Sequence, residues 1–186
     1  MGMIILWIVL GVIAILALWL IITFNGLIRL RNQVEEGWSD IDVQLKRRHD
    51  MIPNLINIVQ GYAKHERELF EKVTQARTAA MSATSPEQLG KAENMLSSTL
   101  KSLFAVAEAY PDLKANQNFL QLQDTYRDTE DKIQASRRFY NGVVRDFNTK
   151  LQVFPTNTVG GMLGFKVREF FALESPEERK NVEIKM

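Results

Sequence analysis

The 186-residue chain contains no cysteine, which removes disulfides, thiolate chemistry, cysteine-based metal sites and any lipid-modified cysteine. Its two histidines, His49 and His65, are sixteen residues apart on what reads as one helix. That separation is roughly 24 Å along a straight helix, too far for one metal ion. Neither sign of charge dominates, with 23 Lys and Arg against 22 Asp and Glu. The basic excess that serves nucleic-acid binding is therefore missing, and nucleic acid is not an expected partner. A helical His-Glu-x-x-His, a Walker loop, a dinucleotide fingerprint and a nucleophile elbow are all lacking. Carboxylates that neighbour one another, such as Asp40 with Asp42 or Glu130 with Asp131, point in different directions on a helix and read as solvated faces. These absences point to a non-enzymatic protein without cofactor, metal or catalytic residues.

Charge is also missing from Met3 through Phe24, and here the absence is the message. At about 1.5 Å per residue the run spans roughly 33 Å as a helix, the thickness of a bilayer's hydrocarbon core. It is longer than a secretory signal core, has no Lys or Arg before it, and no small-x-small cleavage site after it. It reads as a retained anchor, with a cleaved signal peptide as the alternative. Arg29, Arg31, Lys46, Arg47 and Arg48 all follow the run, which predicts a cytoplasmic soluble domain, a periplasmic or extracellular one being the alternative.

Beyond the anchor, apolar residues keep a 3,4 spacing through Val34, Trp38, Ile41, Leu45, Ile52, Leu55, Val59, Tyr62, Leu69, Val73, Ala76 and Ala80. This predicts one long helix to about Met81, bent near Asp50–Ile52 by Pro53. Ser85-Pro86-Glu87-Gln88 predicts an N-cap opening a second helix, which ends near Tyr110-Pro111. A turn-like connector follows, with Asn116 or Asn118 capping a third helix. In that helix Phe119, Tyr126, Ile133, Tyr140, Phe147 and Phe154 recur every seven residues, as expected of a packed core seam. The expected class is all-α: a transmembrane anchor over 1–27, an antiparallel up-down-up bundle over 28–154, and over 155–186 a glycine-rich loop with a short C-terminal helical tail.

Two residues break the seam, Arg48 and Glu66, so each either rotates to solvent or is buried beside partners such as Glu130, Asp131 or Arg137. Lys46-Arg47-Arg48 otherwise reads as a solvated face with one arginine turned inward. In the up-down-up geometry the third helix climbs about 57 Å away from the bilayer. The greasy tail with Phe165, Phe170 and Phe171 is then expected to bury surface between subunits, with Gly160, Gly161 and Gly164 letting the chain bend toward the neighbour, docking on the chain's own bundle being the alternative.

Several separated words of this sequence resemble the LemA family of bacterial membrane-anchored proteins. They include Trp38-Ser39-Asp40-Ile41-Asp42-Val43-Gln44-Leu45-Lys46-Arg47-Arg48-His49-Asp50, Ile52-Pro53-Asn54-Leu55, Ala105-Val106-Ala107-Glu108-Ala109-Tyr110-Pro111-Asp112-Leu113, Arg137-Arg138-Phe139-Tyr140-Asn141 and Gly164-Phe165-Lys166. The resemblance covers essentially the whole chain. It implies an N-terminal transmembrane helix, an antiparallel helical domain and a bacterial inner-membrane location, and no defined activity. The expectation is a self-assembling scaffold or adaptor: a homo-oligomer whose partners are the lipid bilayer and other membrane proteins. The alternative is a tethered sensor holding an ion or small ligand in the bundle.

Overall fold

The structure is a computed structural model and describes residues 1–171. Six helices make up the described chain: α1 (Gly2–Tyr62), α2 (Arg67–Met81), α3 (Pro86–Ala107), α4 (Pro111–Lys114), α5 (Gln117–Gln152) and α6 (Thr156–Met162). No strand occurs among the described residues. The chain divides into two compact units, and α1 and α5 contribute residues to both.

One unit comprises Asp40–Arg138 together with Glu169–Phe171 of the described residues. Its core gathers Ile52, Leu55 and Val59 of α1, Phe70 and Val73 of α2, Leu96, Leu100 and Leu103 of α3, and Phe119 and Tyr126 of α5. Direction follows from four contacts. Arg77 of α2 returns to His49, Glu93 of α3 lies beside Arg48 and His49, Asn116 meets Tyr62, and Glu130 of α5 reaches Arg48. Successive helices therefore alternate, up-down-up-down, rather than the expected up-down-up.

The difference lies at Ala63–Glu66, where the chain leaves the helix and reverses. The apolar spacing did not reveal this, because α1 and α2 face the same core and Val59, Ala63, Phe70 and Val73 stay in phase across the break. Pro53, near which a bend or a short break was expected, lies inside α1 without a break. Proline has no N–H for the carbonyl four residues back, which here is that of His49. Arg77 Nε donates to that carbonyl at 2.9 Å, replacing the missing bond.

The expected caps are present. Ser85 Oγ accepts from the Gln88 amide at 3.2 Å, and Asn116 Oδ1 accepts from the amides of Asn118 and Phe119 at 2.9 and 3.1 Å. The Pro111–Lys114 connector is a single helical turn. On the heptad seam of α5, Phe119, Tyr126, Ile133, Tyr140 and Phe147 are buried, whereas Phe154 is 83% exposed. α5 ends at Gln152, before the repeat reaches it.

The other unit comprises Met1–Ser39 and Phe139–Arg168. Here α5 runs antiparallel to α1: Tyr140 packs on Trp38 with ring centroids 5.5 Å apart, and further along Phe165 stands edge-on to Phe24 and Phe147 at 6.1 and 6.3 Å. The glycine-rich segment, expected to be a loop, is mostly helix: Gly160 and Gly161 lie within α6. Gly160 fits closely there: a methyl on it would lie 2.7 Å from the Leu151 side chain and 3.9 Å from that of Leu27. The bend belongs to Gly164 alone, at φ 75°. There the Phe165 amide donates to Gly160 O at 3.0 Å and the Gly164 amide to Gly161 O at 3.2 Å, a glycine-terminated helix end. Lys166–Phe171 is not helical, and the rest of the expected helical tail lies outside the described residues.

Candidate functional site

The most concentrated polar chemistry lies in the first-described unit, around Arg48. At 1% exposure Arg48 is turned fully inward. Its Nη1 donates to Ser97 Oγ at 2.7 Å and Glu130 Oε2 at 2.8 Å. Its Nη2 donates to the Glu93 carboxylate and to the Glu93 carbonyl at 3.5 Å. The second Glu93 oxygen lies 2.7 Å from His49 Nε2, and Ser97 Oγ is 3.3 Å from Glu130 Oε1. One guanidinium thus joins α1, α3 and α5 through two carboxylates and a hydroxyl.

Burial, then the charges of Arg48 and Arg77, push His49 well below its ordinary value, to about 4. A neutral imidazole that carries its hydrogen on Nε2 donates it to this Glu93 oxygen. Burial, followed by the Glu130 carboxylate, raises the Tyr126 phenol above its ordinary range. The single Arg48 cation thus lies between two carboxylates, Glu93 buried and Glu130 partly exposed, while Arg48 Nε and the Tyr126 hydroxyl have no hydrogen-bond partner.

Of the two polar seam residues, the structure internalises Arg48 and uses Glu130, one of its expected partners. Asp131 is exposed. Arg137 lies elsewhere, donating to Asn94 at 3.2 Å and stacking its guanidinium 4.8 Å above the Phe171 ring. Glu66 is half-buried in the break before α2, outside the Arg48 cluster. Glu93 was missed. It occupies the buried phase of α3, in step with Leu96, Leu100 and Leu103, and a search of that stripe for a carboxylate matching Arg48 would have found it.

Of the tail residues, Phe165 is held between Phe24 and Phe147, Phe171 is fully buried, and Phe170 is 48% exposed. Asn148 pins the chain between them, donating to the Arg168 carbonyl and accepting from its amide, both at 2.8 Å. The expectation that α5 ends far from the apolar segment is overturned, since Phe165 touches Phe24, the last residue of that segment. Its cause was the unseen reversal at Ala63–Glu66, which adds one change of direction.

Two adjoining surface grooves run between α1 and α5 in the first-described unit. One, of about 560 Å³, includes Val43, Lys46, Arg47, Asp50 and Met51. The other, of about 400 Å³, includes Asn57, Ile58, Asn118, Gln121 and Leu122. Both include Asn54 and Thr125. No group of three or more His, Cys, Asp or Glu suited to a metal ion occurs among the described residues.

An 18-residue stretch of α1 near the N-terminus, of mean hydropathy 3.1 and unburied, is long and apolar enough to cross a membrane, and together with an all-helical body it defines the class: a helical protein with one candidate membrane span among the described residues. The chain belongs to the LemA family, whose model matches residues 37–186. It is similar to Protein LemA of Metamycoplasma hominis, 33% identical over 143 residues, covering 75% of this chain and 64% of that protein. It is also similar to Magnetosome protein MamQ 2 of Paramagnetospirillum magneticum, 24% identical, covering 88% of this chain and 69% of that protein. Magnetosome protein MamQ of Magnetospirillum gryphiswaldense is 21% identical, with 82% and 65% covered. The chain thus spans about two thirds of each relative's length, and none of their names is that of an enzyme.

Proposed function

We propose that this protein is a single-pass, membrane-anchored scaffold or adaptor of the bacterial inner membrane, with a cytoplasmic helical body that self-associates and organises other membrane proteins. The observation that carries this reading is the Met3–Phe24 face. Ile4, Trp7, Ile13, Ile15 and Ile22 are all more than half exposed, and nothing in the described chain covers them. Such a surface is stable only in lipid or against another apolar surface. The two grooves between α1 and α5, one lined largely by amides and the other by Lys46, Arg47 and Asp50, supply a place for a protein partner, with polar groups for register and Val43, Ile58 and Leu122 for apolar contact. Names of the relatives from magnetic bacteria, which place them at the magnetosome, are consistent with a role in organising a cellular structure.

Ligand sensing inside the bundle has less support, because Glu93, Glu130 and Ser97 already take both terminal nitrogens of Arg48, which leaves Arg48 Nε and the Tyr126 hydroxyl without a hydrogen-bond partner. Native mass spectrometry of the detergent-solubilised chain separates the two. A scaffold gives discrete multiples of the protomer mass without added ligand mass, and a sensor gives a protomer that retains extra mass. Orientation is checked separately with a C-terminal reporter active only in the cytoplasm, which should give signal; activity of a periplasmic reporter at that position refutes the cytoplasmic placement.

A further inference from the structure

The corner between α5 and α6 carries apolar side chains that its own unit leaves uncovered. Phe154 is 83% exposed, Met162 85% and Val167 62%. Isolated exposed apolar residues are ordinary, but these three occur within fourteen residues, flanked by exposed Lys150 and Lys166. Their position relative to the apolar segment is fixed within the unit. Phe165 packs on Phe24, where the segment ends. A methyl placed on Gly160 would lie 3.9 Å from the Leu27 side chain.

Leu27 is three residues beyond Phe24, about 4.5 Å further along the helix. The headgroup layer on each side of a bilayer is roughly 6 Å deep. If Met3–Phe24 fills the hydrocarbon core, α6 lies at headgroup level, and what its outer side chains meet is lipid rather than bulk water. Apolar side chains flanked by lysines suit that layer: the apolar groups enter the acyl boundary and the ammonium groups meet lipid phosphates.

We propose that the α5–α6 corner is a second membrane contact, inserting Phe154 and Met162 at the interface of the same leaflet from which α1 emerges, with Lys150 and Lys166 on anionic headgroups. This rests on the membrane-anchored reading above. It gives Phe154 and Met162 a lipid partner, whereas the subunit contact expected from the sequence involves Phe165, Phe170 and Phe171. Two points of attachment, α1 and this corner, then restrain rotation of their unit about the α1 axis, which a single span leaves free.

The cysteine-free chain allows a direct test. Single variants Phe154→Cys, Met162→Cys, Ile13→Cys and Met95→Cys carry an environment-sensitive dye, in the full-length protein reconstituted into phosphatidylcholine and phosphatidylglycerol vesicles. Nitroxide quenchers are placed on the headgroup or at mid-chain. The expected result is headgroup quenching at 154 and 162 severalfold above that at 95, and mid-chain quenching at 13. Mid-chain quenching at 13 with 154 and 162 no more quenched than 95 overturns the second contact while leaving the anchor intact. Lack of quenching at 13 overturns the anchored reading and the corner contact with it. Concentration-dependent self-quenching at 154 and 162 without lipid quenching assigns the corner to another copy of the chain and also overturns the proposal.

Discussion

Replacing Arg48 by Met should destabilise the helical body far more than any other single arginine change near it. The substitution keeps the aliphatic length and removes the guanidinium that bonds Glu93, Glu130 and Ser97. Glu130 is 19% exposed at its side chain and recovers water, but Glu93 is 1% exposed and does not. Breaking a buried pair from one side costs about 3–5 kcal/mol, against a typical total of about 5–15 kcal/mol. Arg47→Met is the internal control. Its partner Asp128 lies 3.6 Å away with both side chains about half exposed, and such pairs contribute about 0–1 kcal/mol.

Urea unfolding of the detergent-solubilised chain, followed by circular dichroism, measures both variants. A second readout is specific to the cluster. Without Arg48, His49 loses a cation that lowers its affinity for protons and keeps Glu93 as neighbour, so its imidazole should titrate upward from about 4 in nuclear magnetic resonance spectra. Arg48→Met combined with Glu93→Leu should recover much of the loss, since no carboxylate is then stranded. An Arg48→Met cost as small as that of Arg47→Met, with His49 unmoved, would refute the reasoning.

Three further outcomes are expected. A methyl at Gly37 would meet Phe139 Cδ1 at 3.1 Å and the Tyr140 backbone at 3.3 Å, whereas at Gly142 it meets nothing within 4 Å; Gly142→Ala should therefore stabilise by up to about 1 kcal/mol in thermal melts, and Gly37→Ala should fall short of that gain. Phe147→Ala, at a side chain 1% exposed, should cost about 3–5 kcal/mol while Lys150→Ala costs little, and equal melting temperatures for the two would contradict the α5 seam. Because His49 is held down at about 4 from an ordinary 6.5, the unfolded chain binds a proton that the folded chain refuses; stability should fall as pH drops from 6.5 toward 4, by at most about 3 kcal/mol from this group, and His49→Gln should flatten that part of the profile of urea midpoint against pH.

The all-helical class was legible because periodicity and caps are local: Ser85 with Gln88, Asn116, and the aromatic heptads of α5 are each read within a few residues. The reversal after Tyr62 was not legible, because two helices that share one core keep one apolar phase, and Gly61 with Tyr62 is a weak stop signal. Arg48 was legible as a charge out of place, and Glu130 as one of its partners. Glu93 was hidden by the same feature that buries it, its membership of an otherwise apolar stripe. The glycine-rich segment reads as a loop from glycine content alone, which does not show that Gly160 lies close against Leu151 and near Leu27.

Pro53 bears on the order in which the chain takes shape during synthesis. The donor that completes α1 at His49 is Arg77, made twenty-eight residues after that carbonyl and twenty-four after the proline itself. While the ribosome has delivered only α1, the turn before Pro53 lacks a backbone donor and depends on water. The emerging helix therefore carries a built-in weak joint until α2 has been synthesised and folded back. Nascent-chain intermediates stalled before residue 77 should fray at Asp50–Pro53, and those stalled after α2 has cleared the exit tunnel should not.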